Sequence, residues 1–419
     1  MKSIAVLATL INLRPSYSIN SIVKDKVHMM AQAGYAVRLL VLEGFVGKLH
    51  SAVEVRPCLP QLTLPSYSLD MDPLEGFDAD VDSLHSTIQA NLDGIDVCIT
   101  EDLLYRPQYL HHNAAVRRVG DDIPRLQWVH WIYNAPLARP QNLKYPHTLR
   151  FTGMPRSRFV LGNRWQAPLL AEMYNVPESD VSVVYNARDP RSLFDLDSLT
   201  CDMIERHTLL EADVICVYPT RLAPEKQIDH AMRLIARIKA HGCSVRLIVC
   251  NTYTRGKALT TIMKGLIALG NDLGLDNSEL IFTSQQYTGW RHGTSKRVVQ
   301  ELLRLSNLFI LPSVSEGCSL SLLEGAMAKP LVVLNEDSPG IREFGESNAL
   351  YMKFGNNRFR SSYYEDTGLD LMSLDIQAKR IIDELQANKA LAMFTSVRKR
   401  FNYDWIMQEQ LAPLLESTW

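Results

Sequence analysis

The chain has 419 residues, 46% of them apolar and 21% charged, with a formal net charge of −2. That length predicts two domains, and the composition is ordinary for a soluble globular enzyme. No apolar run approaches the roughly 18–20 residues that cross a bilayer, which excludes a transmembrane helix.

The opening Met1-Lys2-Ser3-Ile4-Ala5-Val6-Leu7-Ala8 superficially resembles a signal peptide. Its apolar run is short and no small-residue cleavage site follows, so it reads as a first buried parallel strand. Ile19, Ile22, Val23, Val27 and Met30 then recur at spacings of three and four, predicting a helix. Further strands are expected near Val37–Leu42, Val97–Thr100, Leu126–Val129, Arg158–Leu161 and Val181–Val184. The second half repeats the pattern at Val214–Tyr218, Val245–Cys250, Leu280–Phe282, Leu308–Leu311 and Leu331–Leu334. Ile228, Ala231, Met232, Ile235 and Ile238 mark a helix that Gly242 stops. Such alternation implies parallel sheets covered on both faces. The acid-rich stretch Asp189–Arg206 divides the chain into residues 1–190 and 191–397, each expected to form one Rossmann-like doubly wound α/β domain. Arg398–Trp419 reads as a terminal helix that packs back on the first domain. Ligands of such sheets bind outside the carboxyl ends of the strands, so two facing sheets would enclose a cleft.

Seven cysteines are scattered without a close pair of metal or redox type, and read as reduced thiols of a cytosolic protein. The charge is unevenly spread. Residues 103–171 hold ten Lys/Arg and only Asp121 and Asp122 as acids, a pattern that suits an anionic partner.

The most informative segment is Ser315-Glu316-Gly317-Cys318-Ser319-Leu320-Ser321-Leu322-Leu323-Glu324. It follows an apolar strand and enters a helix through small residues. A helix N-terminus there favours anions, while two carboxylates can accept hydrogen bonds from hydroxyls. Phosphate together with many hydroxyls describes a nucleotide sugar.

The run Pro312-Ser313, Glu316-Gly317, Glu324-Gly325-Ala326-Met327-Ala328, Pro330-Leu331-Val332-Val333 and Gly340-Ile341-Arg342-Glu343 resembles the signature of retaining glycosyltransferases of family four, which have the GT-B fold. Pro219-Thr220-Arg221-Leu222-Ala223-Pro224-Glu225-Lys226 resembles the family's donor diphosphate loop. Arg supplies a planar fork and Lys a compact charge for phosphate. Asn186 and Asp189 resemble the end of the family's first domain, although here a turn-capping role is expected. In Gln127-Trp128-Val129-His130-Trp131, His130 matches the position of a family histidine that approaches the transferred sugar.

The resemblance implies a retaining transfer from a nucleoside diphosphate sugar, expected to be a UDP- or GDP-sugar. Catalytic roles fall on His130, Arg221, Lys226 and Glu316. Glu324 would hold the ribose, and Gly317, Cys318, Ser319 and Leu320 the phosphates. The family's first loop carries a Gly-Gly pair. Here Ile11–Ser18 has no glycine, and Arg14 would substitute. Cys318-Ser319 stands where Phe-Gly is usual and Lys329 where Cys or Gly is common, so donor identity does not carry over. Asp70-Met71-Asp72 and Asp78-Ala79-Asp80-Val81-Asp82 imitate a metal-binding Asp-x-Asp but read as loop acids, so neither a metal nor another cofactor is expected. The acceptor is expected on the basic, aromatic span 103–171. A cell-envelope glycan or glycolipid is the first reading, with the protein cytoplasmic or peripheral at the inner membrane surface. Hydroxymethylated DNA is one alternative, and a non-catalytic nucleotide-sugar binder another.

Overall fold

The computed structural model describes all residues except 15–16, 63–75, 134–141, 253–256, 315, 317–318, 356–369 and 419. It divides into two compact units, one of Met1–Arg188 with Phe401–Trp419 and one of Asp189–Arg400.

Unit 1 contains strands β1 (Ser3–Leu7), β2 (Ala36–Leu42), β3 (Val53–Leu59), β4 (Val97–Glu101), β5 (Gln127–Trp131), β6 (Ser157–Leu161) and β7 (Val181–Val183). They form one parallel sheet in the order β3-β2-β1-β4-β5-β6-β7. Ile4–Leu7 and Val97–Ile99 are fully buried, as central strands covered on both faces should be. β3 escapes the sequence reading for a physical reason. It is an edge strand, with Glu54, Arg56 and Pro57 where a central strand would be apolar.

Unit 2 contains β8 (Val214–Arg221), β9 (Val245–Thr252), β10 (Leu280–Phe282), β11 (Leu308–Leu311), β12 (Leu331–Asn335) and β13 (Leu350–Met352). Its parallel order is β10-β9-β8-β11-β12-β13. The predicted helix after β8 runs Ile228–Ala240 and buries Ile228, Ala231, Met232, Ile235 and Ile238 against the sheet.

Two expectations need correction. The chain end is not one helix from Arg398. The helix Lys389–Arg400 stops, Asn402 accepts from the Trp405 amide at 2.9 Å, and Tyr403–Ile406, Met407–Leu411 and Ala412–Glu416 follow. Arg398 is buried and donates to the carbonyls of Leu209, Leu210 and Ala212 in unit 2. Asp78, Asp80 and Asp82 lie in the helix Phe77–Ala90 rather than in a loop. Asp78 and Asp82 pair with Arg118, and Asp78 and Asp80 sit in the first turn, where carboxylates oppose the helix dipole. Asp70 and Asp72 fall outside the described residues.

Candidate functional site

In unit 2 the strand order reverses between β8 and β11. Loops leaving the carboxyl ends of the strands at such a point form the binding crevice of an open parallel sheet. β8 ends at Arg221 and the loop after it runs to Gln227, while the loop after β11 begins at Pro312 and leads to Ser319.

These loops are stitched together. The Val314 amide donates to the Glu225 carbonyl at 3.1 Å, and the Tyr218 hydroxyl holds the Lys226 carbonyl at 2.8 Å. Buried Asn335, at the end of β12, donates to the carbonyls of Pro312 and Ser313 at 3.2 Å each and of Gly355 at 2.9 Å. This anchor was missed in the sequence. Its only signal is an amide closing the apolar run Leu331–Leu334.

The consequence is a direct contact between two predicted site residues. Lys226 Nζ donates to Glu316 Oε1 at 2.6 Å, with both side chains largely shielded from solvent. Arg221, on the same loop as Lys226, is mostly exposed and pairs with Glu225 at 2.7 Å. Ser319 caps the helix Leu320–Met327, its hydroxyl accepting from the Leu322 amide at 3.3 Å. Leu320 begins that helix and is exposed. Glu324, one turn further, pairs with Lys296 at 3.0 Å beside a cavity of about 240 Å³ that it lines with Leu303, Arg304 and Met327. Gly317 and Cys318 lie outside the described residues. The helix approaches β11 closely at Gly325, where a Cβ would stand 2.5 Å from the Phe309 ring.

The unit 1 residues behave differently. His130 is fully buried in β5. One ring nitrogen faces Thr100 Oγ1 at 2.8 Å and the other Ser157 Oγ at 3.1 Å, and the ring stacks on Trp128. Burial, reinforced by Arg117, holds its pKa well below the ordinary histidine value. Both nitrogens are committed inside the sheet, so this geometry presents a core residue and does not support the expected approach to a sugar. Arg14 is exposed in the loop after β1, where its amide donates to Asn12 Oδ1 at 3.0 Å. Asp189 takes the capping role expected of it, accepting from the Arg191 amide at 2.7 Å.

Much of the basic span 103–171 is consumed by the fold. Arg106 and Arg158 pair with Asp102 and Asp180, and Arg118 pairs with Asp78 and Asp82. Arg117, Arg150 and Arg156 donate to backbone carbonyls, including those of Gly153, Tyr105 and Gly120. Trp128, Trp131, Phe151 and Phe159 are core residues, whereas Trp165 and Tyr145 remain exposed. Arg139 falls outside the described residues.

Sequence reading also missed a buried network at the carboxyl end of β4, beside the strand-order reversal of unit 1. Lys26 donates to Glu101 at 2.6 Å beneath the Trp131 ring, and the Tyr133 hydroxyl donates to the other Glu101 oxygen at 2.5 Å. Burial lowers the Lys26 pKa to about 8 against the opposing pull of Glu101. The adjacent acids Glu101-Asp102 ending an apolar strand were its sequence signal.

Residues 213–356 match the family model described as Glycosyl transferases group 1. The matched stretch lies within the second of the two parallel-sheet units and includes β8 to β13. It is similar to solved structures of Anabaena Alr3699/HepE in complex with UDP (14% identity, 99% of each chain covered, TM-score 0.34). It is similar also to the sucrose-phosphate synthase of Thermosynechococcus elongatus (15%, 99% of each chain, 0.34). A third likeness is to an α,α-trehalose-phosphate synthase (UDP-forming) from Burkholderia vietnamiensis (14%, 99% of this chain and 100% of that chain, 0.35). No curated protein sequence matches the chain.

Proposed function

We propose that the protein is a retaining glycosyltransferase that moves a sugar from a nucleoside diphosphate donor, a UDP- or GDP-sugar, to an acceptor hydroxyl. The observation that carries this reading is the Lys226–Glu316 contact between the two loops at the strand-order reversal of unit 2. Lys226 and Arg221 are assigned to the diphosphate, together with the amides opening the helix at Leu320. Glu316 accepts from the sugar and Glu324 from the ribose. Negative charge grows on the leaving phosphate as the glycosidic bond breaks, so cations fixed there stabilise the transition state. The leaving phosphate takes the acceptor proton on the same face, which retains the anomeric configuration. His130 is assigned a structural role.

The acceptor side is assigned to unit 1, with a cell-envelope glycan or glycolipid as the acceptor class. The committed arginines of residues 103–171 leave little support for DNA. A thermal-shift panel of UDP-, GDP-, ADP- and dTDP-sugars tests donor choice, because ligand binding to the folded state raises Tm. Turnover by Arg221→Ala and Lys226→Ala tests the diphosphate assignment: both should lose activity, and near-normal rates in both would overturn it.

A further inference from the structure

A cavity of about 340 Å³ lies in unit 2 away from the donor loops. Its wall includes Val214, the first residue of β8, and Asn307, which precedes β11, so it sits at the amino ends of strands whose carboxyl ends carry Arg221 and Glu316. The helix Leu371–Ala387 contributes Ile382 and Leu385, the helix Lys389–Arg400 contributes Ala392, and Cys243 completes an apolar lining. A volume of this size falls in the range of small-molecule sites.

Its polar groups are mostly paired. Asn307 donates to the Asp213 carbonyl at 2.7 Å and to Thr395 Oγ1 at 3.0 Å, and Lys399 pairs with Asp213. Arg400 also lines the cavity, and no hydrogen bond or ion pair engages it among the described residues. Asp213, Lys399 and Arg400 are the charged groups facing the space, so one positive charge is left over. The helix bearing Arg400 is held in place by buried Arg398, whose guanidinium clamps the carbonyls of Leu209 and Ala212. A largely apolar cavity with one exposed, surplus guanidinium in its lining suits a ligand with an apolar body and one anionic head.

We propose that this cavity is a second binding site, for a small carboxylate with an apolar tail. Octanoate is the probe and octanol its uncharged control, read by calorimetric titration and thermal shift on the full chain. Alkylation of Cys243, followed by peptide mass mapping, reports occupancy independently. Octanoate is expected to bind saturably, to raise Tm and to protect Cys243. Octanol should bind at least about tenfold more weakly, the equivalent of about 1.4 kcal/mol. Arg400→Gln, an exposed substitution that leaves the fold intact, should bring octanoate to the level of octanol. Ala392→Phe should abolish both by filling the chamber. Equal binding of octanol and octanoate, unprotected Cys243, or unchanged octanoate affinity in Arg400→Gln would each overturn the proposal. Binding of the nucleotide sugar that the thermal-shift panel selects should persist in both variants, which separates this site from the donor assignment.

Discussion

Lys226 and Glu316 stand ninety positions apart in sequence, yet their side chains meet at 2.6 Å. Two loops that leave neighbouring strands are thereby joined by a charge-assisted hydrogen bond at the point where a donor diphosphate is assigned. Removing either partner strands the other charge in a largely shielded site.

The two residues should therefore couple. In a double-mutant cycle, Lys226→Met and Glu316→Gln should each destabilise the protein. The double variant should cost less than their sum by about 0.5–3 kcal/mol. Urea unfolding measures the coupling, and strict additivity would mean that the contact contributes nothing. Nucleotide-sugar titration of Lys226→Met should show at least a tenfold loss in affinity, equivalent to about 1.4 kcal/mol.

Gly325 is a packing requirement rather than a helix preference. In an open helix, Gly→Ala would stabilise by about 1 kcal/mol. Here the new methyl would meet the Phe309 ring, and overpacking of this kind costs about 1–3 kcal/mol. Gly325→Ala should lower Tm and, because Glu324 precedes it on the displaced helix, weaken donor binding. A raised Tm would show that helix and strand separate without cost.

Unit 1 should be sensitive to acid. His112 is buried, neither ring nitrogen has a hydrogen-bond partner among the described residues, and burial, reinforced by His111, lowers its pKa to about 3. Unfolding restores an ordinary pKa near 6.5, so the unfolded state binds the extra proton between these values. Stability contributed by the neutral ring is present above the unfolded pKa and declines as pH falls from about 6.5 toward 3. His112→Phe should flatten the dependence of urea midpoint on pH between about 7 and 5. An unchanged slope would exclude His112 as its source.

His130 offers a separation of fold from chemistry. Its fully engaged ring predicts that His130→Ala destabilises by about 1–3 kcal/mol through the lost hydrogen bonds to the Thr100 and Ser157 hydroxyls and the vacated volume. Donor affinity, measured under conditions where the variant remains folded, should be unchanged. A selective loss of turnover at normal stability would restore a catalytic role.

The strand alternation was legible because central parallel strands are continuous apolar runs, as at Ile4–Leu7 and Leu308–Leu311. The missed strands β3 and β13 are both sheet edges, where one-sided burial weakens that pattern. The nearness of Lys226 and Glu316 was legible because both follow apolar runs that form neighbouring strands, β8 and β11. In one dimension His130, a polar side chain engaged inside a core, looks like a polar side chain aimed at a ligand. Several arginines of residues 103–171 look uncommitted in sequence for a related reason. Charge counting registers the cations but not the carbonyls and distant acids that engage them, such as Asp180 for Arg158.

The division at Arg188/Asp189 and Arg400/Phe401 makes unit 2 one uninterrupted stretch of chain, whereas unit 1 is assembled from two. The Arg188 amide donates to the Phe401 carbonyl at 2.6 Å, so the two ends left by excising unit 2 already lie side by side. In genetic terms unit 2 is a cassette. Residues 189–400 could be produced alone or exchanged between host chains, with a few linker residues closing the remaining half.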